Sequence, residues 1–189
     1  FDKDNSNRTV SRKISTLKSF YKYLKENDVI KFSPALSIKY PKADKKLPNF
    51  VPYNELESMI NATKKDTFYE RDDLIIELMY ATGVRVSELV NIKLDDIDFE
   101  TNSIRILGKG SYMRTVYFGE YARDAIFRYL HGLRKKLLNG KESEYLFLNK
   151  NGNNITTRGI AKIIDKIVSE TEVKTKVSPH TLRHTFATH

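Results

Sequence analysis

Apolar residues recur at helical spacing through most of the sequence and alternate with polar ones only in short segments. Between Thr9 and Asn27 they follow one another at steps of three and four residues, which places them on one face of a helix: Val10, Ile14, Leu17, Tyr21 and Leu24. The same spacing predicts further helices over Tyr53–Thr63, Tyr69–Ala81, Val84–Ile92, Glu120–Leu138, Thr157–Glu170 and from Ser178 onward. This pattern restricts the chain to a mainly helical fold.

Short alternating segments predict a small antiparallel sheet beside these helices. Ser103–Leu107 alternates polar and apolar residues, Gly108-Lys109-Gly110-Ser111 turns the chain, and Thr115–Phe118 returns as a second strand. Tyr145–Leu148 is predicted to form a further strand edge. The predicted fold class is therefore mainly α (α+β), with a small antiparallel sheet.

The sequence predicts two domains joined by a linker. Residues 1–38 hold one amphipathic helix and a short apolar segment, which cannot bury the apolar stripe by themselves, so we expect them to be the C-terminal part of a larger helical domain. Residues 39–52 contain three prolines and four lysines and are predicted to be an extended linker. Residues 53–189 would then form the second domain.

Composition narrows the possible functions. The sequence contains no cysteine, which excludes disulfides, cysteine metal sites and thiol nucleophiles, and it has no apolar run long enough to predict a membrane span. The net charge is +9, with basic side chains in excess in residues 1–50 and 101–189 and acidic ones in excess in residues 51–100. Two basic regions suit a nucleic acid duplex held from two sides, although charge alone leaves an ordinary solvated surface equally open.

The segment Ser178–His189 places His180 and Arg183 three residues apart on one face of a predicted helix. His180 also lies in the first turn, where free N–H groups favour an anion. An imidazole and a guanidinium directed at one point suit a phosphate. The alternative is that His180 is a surface residue and that Arg183 forms an ordinary salt bridge.

Two further segments carry cationic side chains in unusual surroundings. Arg85 follows Gly83, which is placed to end a helix in a left-handed conformation, and Glu88 lies where it could hold the Arg85 guanidinium. Lys109 lies between two glycines at the predicted hairpin turn. Either residue by itself has an ordinary explanation, since an arginine in apolar surroundings usually forms an ion pair and a lysine in a turn is usually solvated.

Together these four groups suit cleavage of a phosphodiester without a metal. Arg85 and Arg183 would clamp the non-bridging oxygens, while Lys109 would protonate the departing 5′ oxygen. His180 would manage the proton of the nucleophile. The acidic run Asp95-Asp96-Asp98 has no histidine partner, so we interpret it as a solvated turn and expect no metal site.

These segments resemble the tyrosine recombinase (phage integrase) family, most closely its bacterial Xer-type members. The resemblance rests on Ala81-Thr82-Gly83-Val84-Arg85-Val86-Ser87-Glu88-Leu89, on the Gly108-Lys109-Gly110 hairpin and on His180-Thr181-Leu182-Arg183-His184-Thr185-Phe186-Ala187-Thr188-His189. The segment from Ser15 to Tyr21 also resembles the end of the core-binding domain of the family. The resemblance covers nearly the whole chain.

The resemblance implies a catalytic domain over residues 53–189, preceded by part of a helical core-binding (SAM-like) domain. It implies that Arg85 and Arg183 are the catalytic arginines, Lys109 the general acid and His180 the general acid/base, with Glu88 supporting Arg85. Such enzymes are site-specific recombinases that join each DNA strand to the protein through a 3′-phosphotyrosine. Bond energy is thereby conserved, and neither ATP nor a metal cofactor is implied.

The sequence departs from the family pattern at its end. In the family a second histidine or tryptophan and then the nucleophilic tyrosine follow the His-x-x-Arg motif by some tens of residues, whereas here all eleven tyrosines precede His180. We therefore expect the chain to be incomplete at its C-terminus and inactive in covalent cleavage by itself. Two alternatives stay open: a non-catalytic DNA-binding relative and a type IB topoisomerase-like DNA relaxer.

The resemblance also implies partners. We expect double-stranded DNA, a homo- or hetero-tetramer on paired DNA sites, a DNA translocase partner if the protein is of the Xer type, no membrane association, and a cytoplasmic location at the nucleoid. The residues predicted to contact DNA are Arg12, Lys13, Lys18, Lys22, Arg114, Thr157 and Arg158. The alternative for each of them is an ordinary solvated side chain.

Overall fold

The computed structural model describes residues 5–42, 50–64 and 66–188, and for Lys109 it describes the backbone alone. The chain divides between residues 47 and 48 into two units, each of which is described by itself. The division falls inside the predicted linker, of which residues 43–49 lie outside the described part of the chain.

The first unit is built on one long helix, α1 (Asn7–Glu26). The hydroxyl of Ser6 caps its start by accepting a hydrogen bond from the Thr9 amide at 3.2 Å. The helix therefore begins two residues earlier than predicted. Within the described part of this unit, Ile14 is buried, whereas Leu17 of the same apolar stripe is 45% exposed.

The second unit packs its helices around one that is buried on nearly every side. Its helices are α2 (Tyr53–Thr63), α3 (Tyr69–Thr82), α4 (Val86–Leu89), α5 (Glu120–His131), α6 (Leu133–Leu138), α7 (Thr157–Ser169) and α8 (Pro179–Thr188). Helix α3 is the central one: it packs against α2, α5, α6 and α8. It buries completely the side chains of Leu74, Ile75, Ile76, Leu78 and Met79. Arg71, Asp72 and Asp73 at the start of the helix are buried as well, and their charges are paired, Arg71 with Asp72 and Asp73 with Arg128, so the core of this unit forms around α3.

Gly83 ends α3 as the sequence predicts. Its φ of 57° is left-handed, and its amide donates to the carbonyl of Met79. The chain then leaves the helix direction and passes through the extended residue Arg85 into the short helix α4. The predicted helix Val84–Ile92 is thus confirmed only over Val86–Leu89.

A three-stranded antiparallel sheet is formed by β1 (Ile97–Asp98), β2 (Ser103–Leu107) and β3 (Met113–Tyr117), in that order. The predicted hairpin is confirmed, but β3 begins two residues earlier than predicted, which brings Arg114 into the strand opposite Ile106. The two-residue strand β1 carries too little alternation to be recognised in the sequence.

The predicted helix Glu120–Leu138 is wrong at one point: it breaks at Gly132 into α5 and α6. The carboxylate of Glu70 occupies the place that a Cβ at position 132 would take, and it accepts a hydrogen bond from the Leu133 amide at 2.6 Å. A carboxylate from a distant helix therefore caps α6, which sequence periodicity does not reveal.

The predicted strand edge Tyr145–Leu148 is confirmed only at its ends, where Tyr145 and Leu148 form isolated antiparallel bridges to Lys93 and to Asn154. The buried guanidinium of Arg134 donates to the carbonyls of Ser143, Tyr145 and Leu146. These carbonyls are therefore engaged by a side chain, and no ladder with a neighbouring strand forms along them. Among the described residues, no helix is long and apolar enough to cross a membrane.

Candidate active site

The site is organised by the start of α4. Arg85 precedes the helix and Glu88 lies three residues later, so the Glu88 carboxylate turns back and accepts the Arg85 amide at 2.8 Å, as in a capping box. The same carboxylate accepts Nη1 of Arg85 at 2.9 Å. Local sequence spacing therefore brings these two predicted site residues together.

Arg114 reaches the same carboxylate from the sheet. Its Nη1 and Nη2 donate to Oε1 and Oε2 of Glu88 at 3.0 and 2.7 Å, a bidentate pair. Along β3, Arg114 and Val116 are half-buried while their neighbours are exposed, so the guanidinium points inward. Arg114 was predicted to contact DNA, and the structure places it against Glu88. Alternation of side chains along a strand that started at Met113 would have indicated this direction.

Arg183 joins the cluster from α8. Its Nη1 donates to the carbonyl of Gly83 and lies 4.0 Å from Oε2 of Glu88. The ring of Phe186 packs where a Cβ at position 83 would lie. The left-handed glycine therefore serves two purposes, because it ends α3 and leaves room for α8 to bring Arg183 beside Glu88.

The cluster holds more positive than negative charge. Burial would by itself raise the pKa of Glu88, whose side chain is 5% exposed, but hydrogen bonds from Arg114 and Arg85 outweigh burial and lower that pKa to about 2. Burial, and next the charge of Arg85, lower the pKa of Arg183. Three guanidinium groups thus surround one ionised carboxylate, and the side chain of Arg85 is 55% exposed. The outward donors of such a cluster suit an anion.

His180 lies in the first turn of α8, whose start is capped as predicted by Ser178: its hydroxyl accepts the Thr181 amide at 3.2 Å. His180 is exposed, and its Nε2 lies 3.0 Å from Nε2 of His184, one helical turn later. At that distance one imidazole donates and the other accepts. The sequence analysis did not single out His184, although a spacing of four residues on a helix would have indicated the pair.

Lys109 opens the 3-10 turn Lys109–Ser111 at the tip of the hairpin. Its side chain lies outside the described part of the structure, so its predicted role stays a prediction. The preceding Gly108 is close to the cluster: a Cβ placed there would lie 3.2 Å from Nη1 of Arg114 and 3.7 Å from Oε1 of Glu88. The backbone that carries Lys109 thus begins beside the arginines.

The residues predicted to contact DNA lie mostly at the surface. On α1, Arg12, Lys13 and Lys22 are exposed, and the ammonium of Lys18 lies 4.8 Å from the centre of the Tyr40 ring.

Thr157 and Arg158 are exposed in the first turn of α7, where the neighbouring Thr156 caps the helix by accepting the Gly159 amide at 3.1 Å. Their position at a helix start is the one predicted. Arg114, the remaining predicted contact, has its two terminal nitrogens engaged by Glu88.

A cleft of about 500 Å³ opens beside the cluster, lined in part by Arg114, Arg183 and the ring of Phe186. The acidic run from Asp95 to Asp98 lies on the 3-10 turn Leu94–Asp96 and on β1, where Asp98 accepts the backbone amides of Glu100 and Thr101. In residues 5–42, 50–64 and 66–188, no group of histidine and acidic side chains is arranged to hold a metal ion.

The chain is similar to a known family of proteins. A family model described as the phage integrase family matches residues 49–189. The chain is 41% identical to tyrosine recombinase XerC of Oceanobacillus iheyensis, over the whole chain and 63% of that protein. It is 45% identical to tyrosine recombinase XerC of Staphylococcus aureus, over 96% of the chain and 60% of that protein. The chain therefore spans about six tenths of the length of these curated relatives.

A solved structure shares the fold. The site-specific recombinase XerH, described in a post-cleavage complex with a palindromic difH substrate, matches with a TM-score of 0.75 and 24% identity. The match covers 98% of this chain and 55% of that one. At this identity the likeness establishes the fold of the chain.

Proposed function

The chain belongs to the phage integrase family, and from this premise we propose that it is the greater part of a site-specific DNA recombinase of the Xer type. Such an enzyme cuts and rejoins DNA strands through a 3′-phosphotyrosine intermediate. In this proposal residues 53–189 belong to the catalytic domain, and residues 1–38 belong to a core-binding domain.

One observation carries the proposal: Arg85 and Arg183, which lie far apart in the sequence, meet around the buried carboxylate of Glu88. A phosphodiester gains negative charge on its non-bridging oxygens as it passes through a five-coordinate transition state. Guanidinium groups held in place before the reaction stabilise that charge without reorganising. Glu88 holds Arg85 in this way while leaving part of its guanidinium open to solvent.

The remaining roles follow from the chemistry. A tyrosine hydroxyl attacks the phosphorus and loses its proton to His180, while the 5′ oxygen leaves and takes a proton from Lys109. Rejoining reverses these transfers. The phosphotyrosine bond conserves the energy of the cut strand, so the cycle as proposed uses neither ATP nor a metal.

We propose double-stranded DNA as the partner, because exposed cationic side chains mark both α1 and the start of α7. Recombination between two sites requires four protomers on paired DNA, as a homo- or hetero-tetramer. An Xer-type enzyme would in addition respond to a DNA translocase and act on the chromosome in the cytoplasm. XerH was itself captured with its DNA substrate.

Covalent trapping tests the proposal. A full-length protein that contains this sequence is incubated with a nicked suicide DNA substrate, and covalent complexes are separated in denaturing gels. We expect wild-type protein to be trapped and Arg85→Ala to abolish trapping, because the clamp on the phosphate is lost. Arg105→Ala, which removes an exposed arginine of β2, is the matched control and should trap normally.

The outcomes separate the hypotheses. Undiminished trapping by Arg85→Ala would contradict the role of Arg85. Absence of any trapping by the wild type would favour a DNA-binding relative. Relaxation of a supercoiled plasmid that lacks a recognition site would favour a topoisomerase-like enzyme.

A further inference from the structure

Glu88 is held from two sides, and each side belongs to a different element. From α4, the amide and Nη1 of Arg85 donate to its two oxygens at 2.8 and 2.9 Å. From β3, Arg114 donates to both oxygens through its two terminal nitrogens. The carboxylate of Glu88 therefore links Arg85, which precedes α4, to the hairpin.

The two terminal nitrogens of Arg114 form a planar pair of donors (a fork), which orients the Glu88 carboxylate more firmly than a single charge would. The Arg85 amide already holds Oε2 of Glu88, and the two parallel hydrogen bonds from Arg114 restrain both oxygens from a second element, which a lysine with its single point charge would do less firmly. The orientation of the carboxylate in turn decides where Oε1 lies, and Oε1 is the atom that holds Nη1 of Arg85. Arg114 thereby acts on the direction of the Arg85 guanidinium without touching it.

The same contact anchors the hairpin. Arg114 pairs with Ile106 across β2 and β3, and its Nη1 packs against Gly108, the residue before the turn. The Gly108 amide donates to the carbonyl of Tyr112 at 2.8 Å, which closes the hairpin below the turn. A displaced Arg114 would therefore shift the base of the turn that carries Lys109.

We propose that Arg114 is a positioning residue of the active site: through Glu88 it sets the direction of Arg85, and through β3 it sets the position of the Lys109 turn. The inference rests on the proposed recombinase function. It differs from a role in DNA contact because both terminal nitrogens of Arg114 donate to Glu88, and its side chain is 28% exposed against 61% for Arg105 on the other face of the hairpin.

Cleavage kinetics of the full-length protein test the inference. Arg114→Lys keeps the charge and removes the fork, and Arg105→Lys is the matched control on the same hairpin. We expect Arg114→Lys to cleave a suicide substrate about 100-fold more slowly with unchanged DNA affinity, because small misplacements of reacting groups have effects of that size. Arg105→Lys should leave both the rate and the affinity unchanged.

Two results would overturn the inference. A wild-type cleavage rate for Arg114→Lys would show that charge is sufficient and that the fork has no function. Weaker binding with a salt slope reduced by about one, at an unchanged rate of cleavage, would instead make Arg114 a phosphate contact.

A second readout does not depend on cleavage. In this chain, 15N relaxation of the Arg85 Nε–H group should show a restrained side chain in the wild type and in Arg105→Lys, and a mobile one in Arg114→Lys and Arg114→Gln. Circular dichroism verifies that each variant is folded under the conditions used. An Arg85 signal that is equally restrained in every variant would overturn the inference, whereas a wild type that never cleaves DNA would refute only the proposed function.

Discussion

At the scale of single residues, one buried carboxylate organises the site. Glu88 accepts hydrogen bonds from Arg85 and Arg114 and lies within ion-pair distance of Arg183. A buried carboxylate without such partners would be protonated, and a cluster of arginines without the carboxylate would repel one another. The charge of Glu88 and the charges of the three arginines therefore stabilise one another.

This arrangement predicts an acid-sensitive contribution to stability. The pKa of Glu88 is lowered from 4.5 to about 2 in the folded chain, so ionised Glu88 stabilises the fold above pH 4.5, and this contribution is lost as the pH falls towards 2. The shift corresponds to about 3 kcal/mol in the free energy of unfolding. In urea titrations, the difference in the free energy of unfolding between wild type and Glu88→Gln should be large at pH 7. It should shrink as the pH falls from 4.5 towards 2.

Glu57→Gln is the matched control, because Glu57 is an exposed glutamate on α2. Its effect on stability should be small and nearly the same at each pH. A difference between wild type and Glu88→Gln that stays constant from pH 7 to pH 2 would show that Glu88 is not held ionised by its arginine partners.

At the scale of elements, the site depends on how α8 docks. Thr185 is fully buried on α8, where its hydroxyl accepts the Val51 amide at 2.9 Å and donates to the Thr181 carbonyl. This contact joins α8 to the residues before α2, and α8 also packs along α3. The docking brings Arg183 to the end of α3, beside Gly83.

Removing the hydroxyl of Thr185 should therefore loosen α8. Thr185→Val keeps the shape of the side chain and leaves the buried Val51 amide without its acceptor, which costs about 1–3 kcal/mol. Thr188→Val is the control, since Thr188 bonds only within its own exposed turn, to the His184 carbonyl. Thermal unfolding should show a lower midpoint for Thr185→Val alone, and equal midpoints would contradict the docking role of this hydroxyl.

At the scale of the whole molecule, the net charge predicts that the proposed binding to DNA depends on salt. The sequence carries a net charge of +9. The buried carboxylates of Asp72, Asp73 and Glu88 each form an ion pair with an arginine. Each such pair takes up at least one positive charge together with the negative one, so the excess of cationic side chains comes from the lysines and arginines outside these pairs. Association with a polyanion should follow from counterion release.

Binding to a labelled duplex should accordingly weaken steeply with salt. If about six phosphates are contacted, the affinity falls about 10³-fold between 50 and 200 mM salt. Arg158→Gln, at the start of α7, should reduce the salt slope by about one, whereas Lys135→Gln on α6 should leave it unchanged. Fluorescence anisotropy measures both quantities, and an affinity independent of salt would contradict the proposed DNA interface.

Much of the fold could be predicted because its determinants are local. Helices α2 and α3 begin where the periodicity places them, Gly83 ends α3, and Ser178 caps α8. The prediction failed where a distant side chain intervenes. Glu70 caps the break at Gly132, and Arg134 engages the carbonyls around Tyr145.

The sequence by itself determined the pairing of Arg85 with Glu88, because a spacing of three residues at a helix start brings the carboxylate back to the first residue. Only the tertiary structure decided that Arg114 and Arg183 join them. Those two contacts link residues of β3 and α8 to α4, and no periodicity within a segment specifies which side chain of another segment it will meet. Packing against α3 brings α8 and β3 together, and the buried carboxylate of Glu88 then favours cationic side chains as its partners, because a buried charge without a partner is costly.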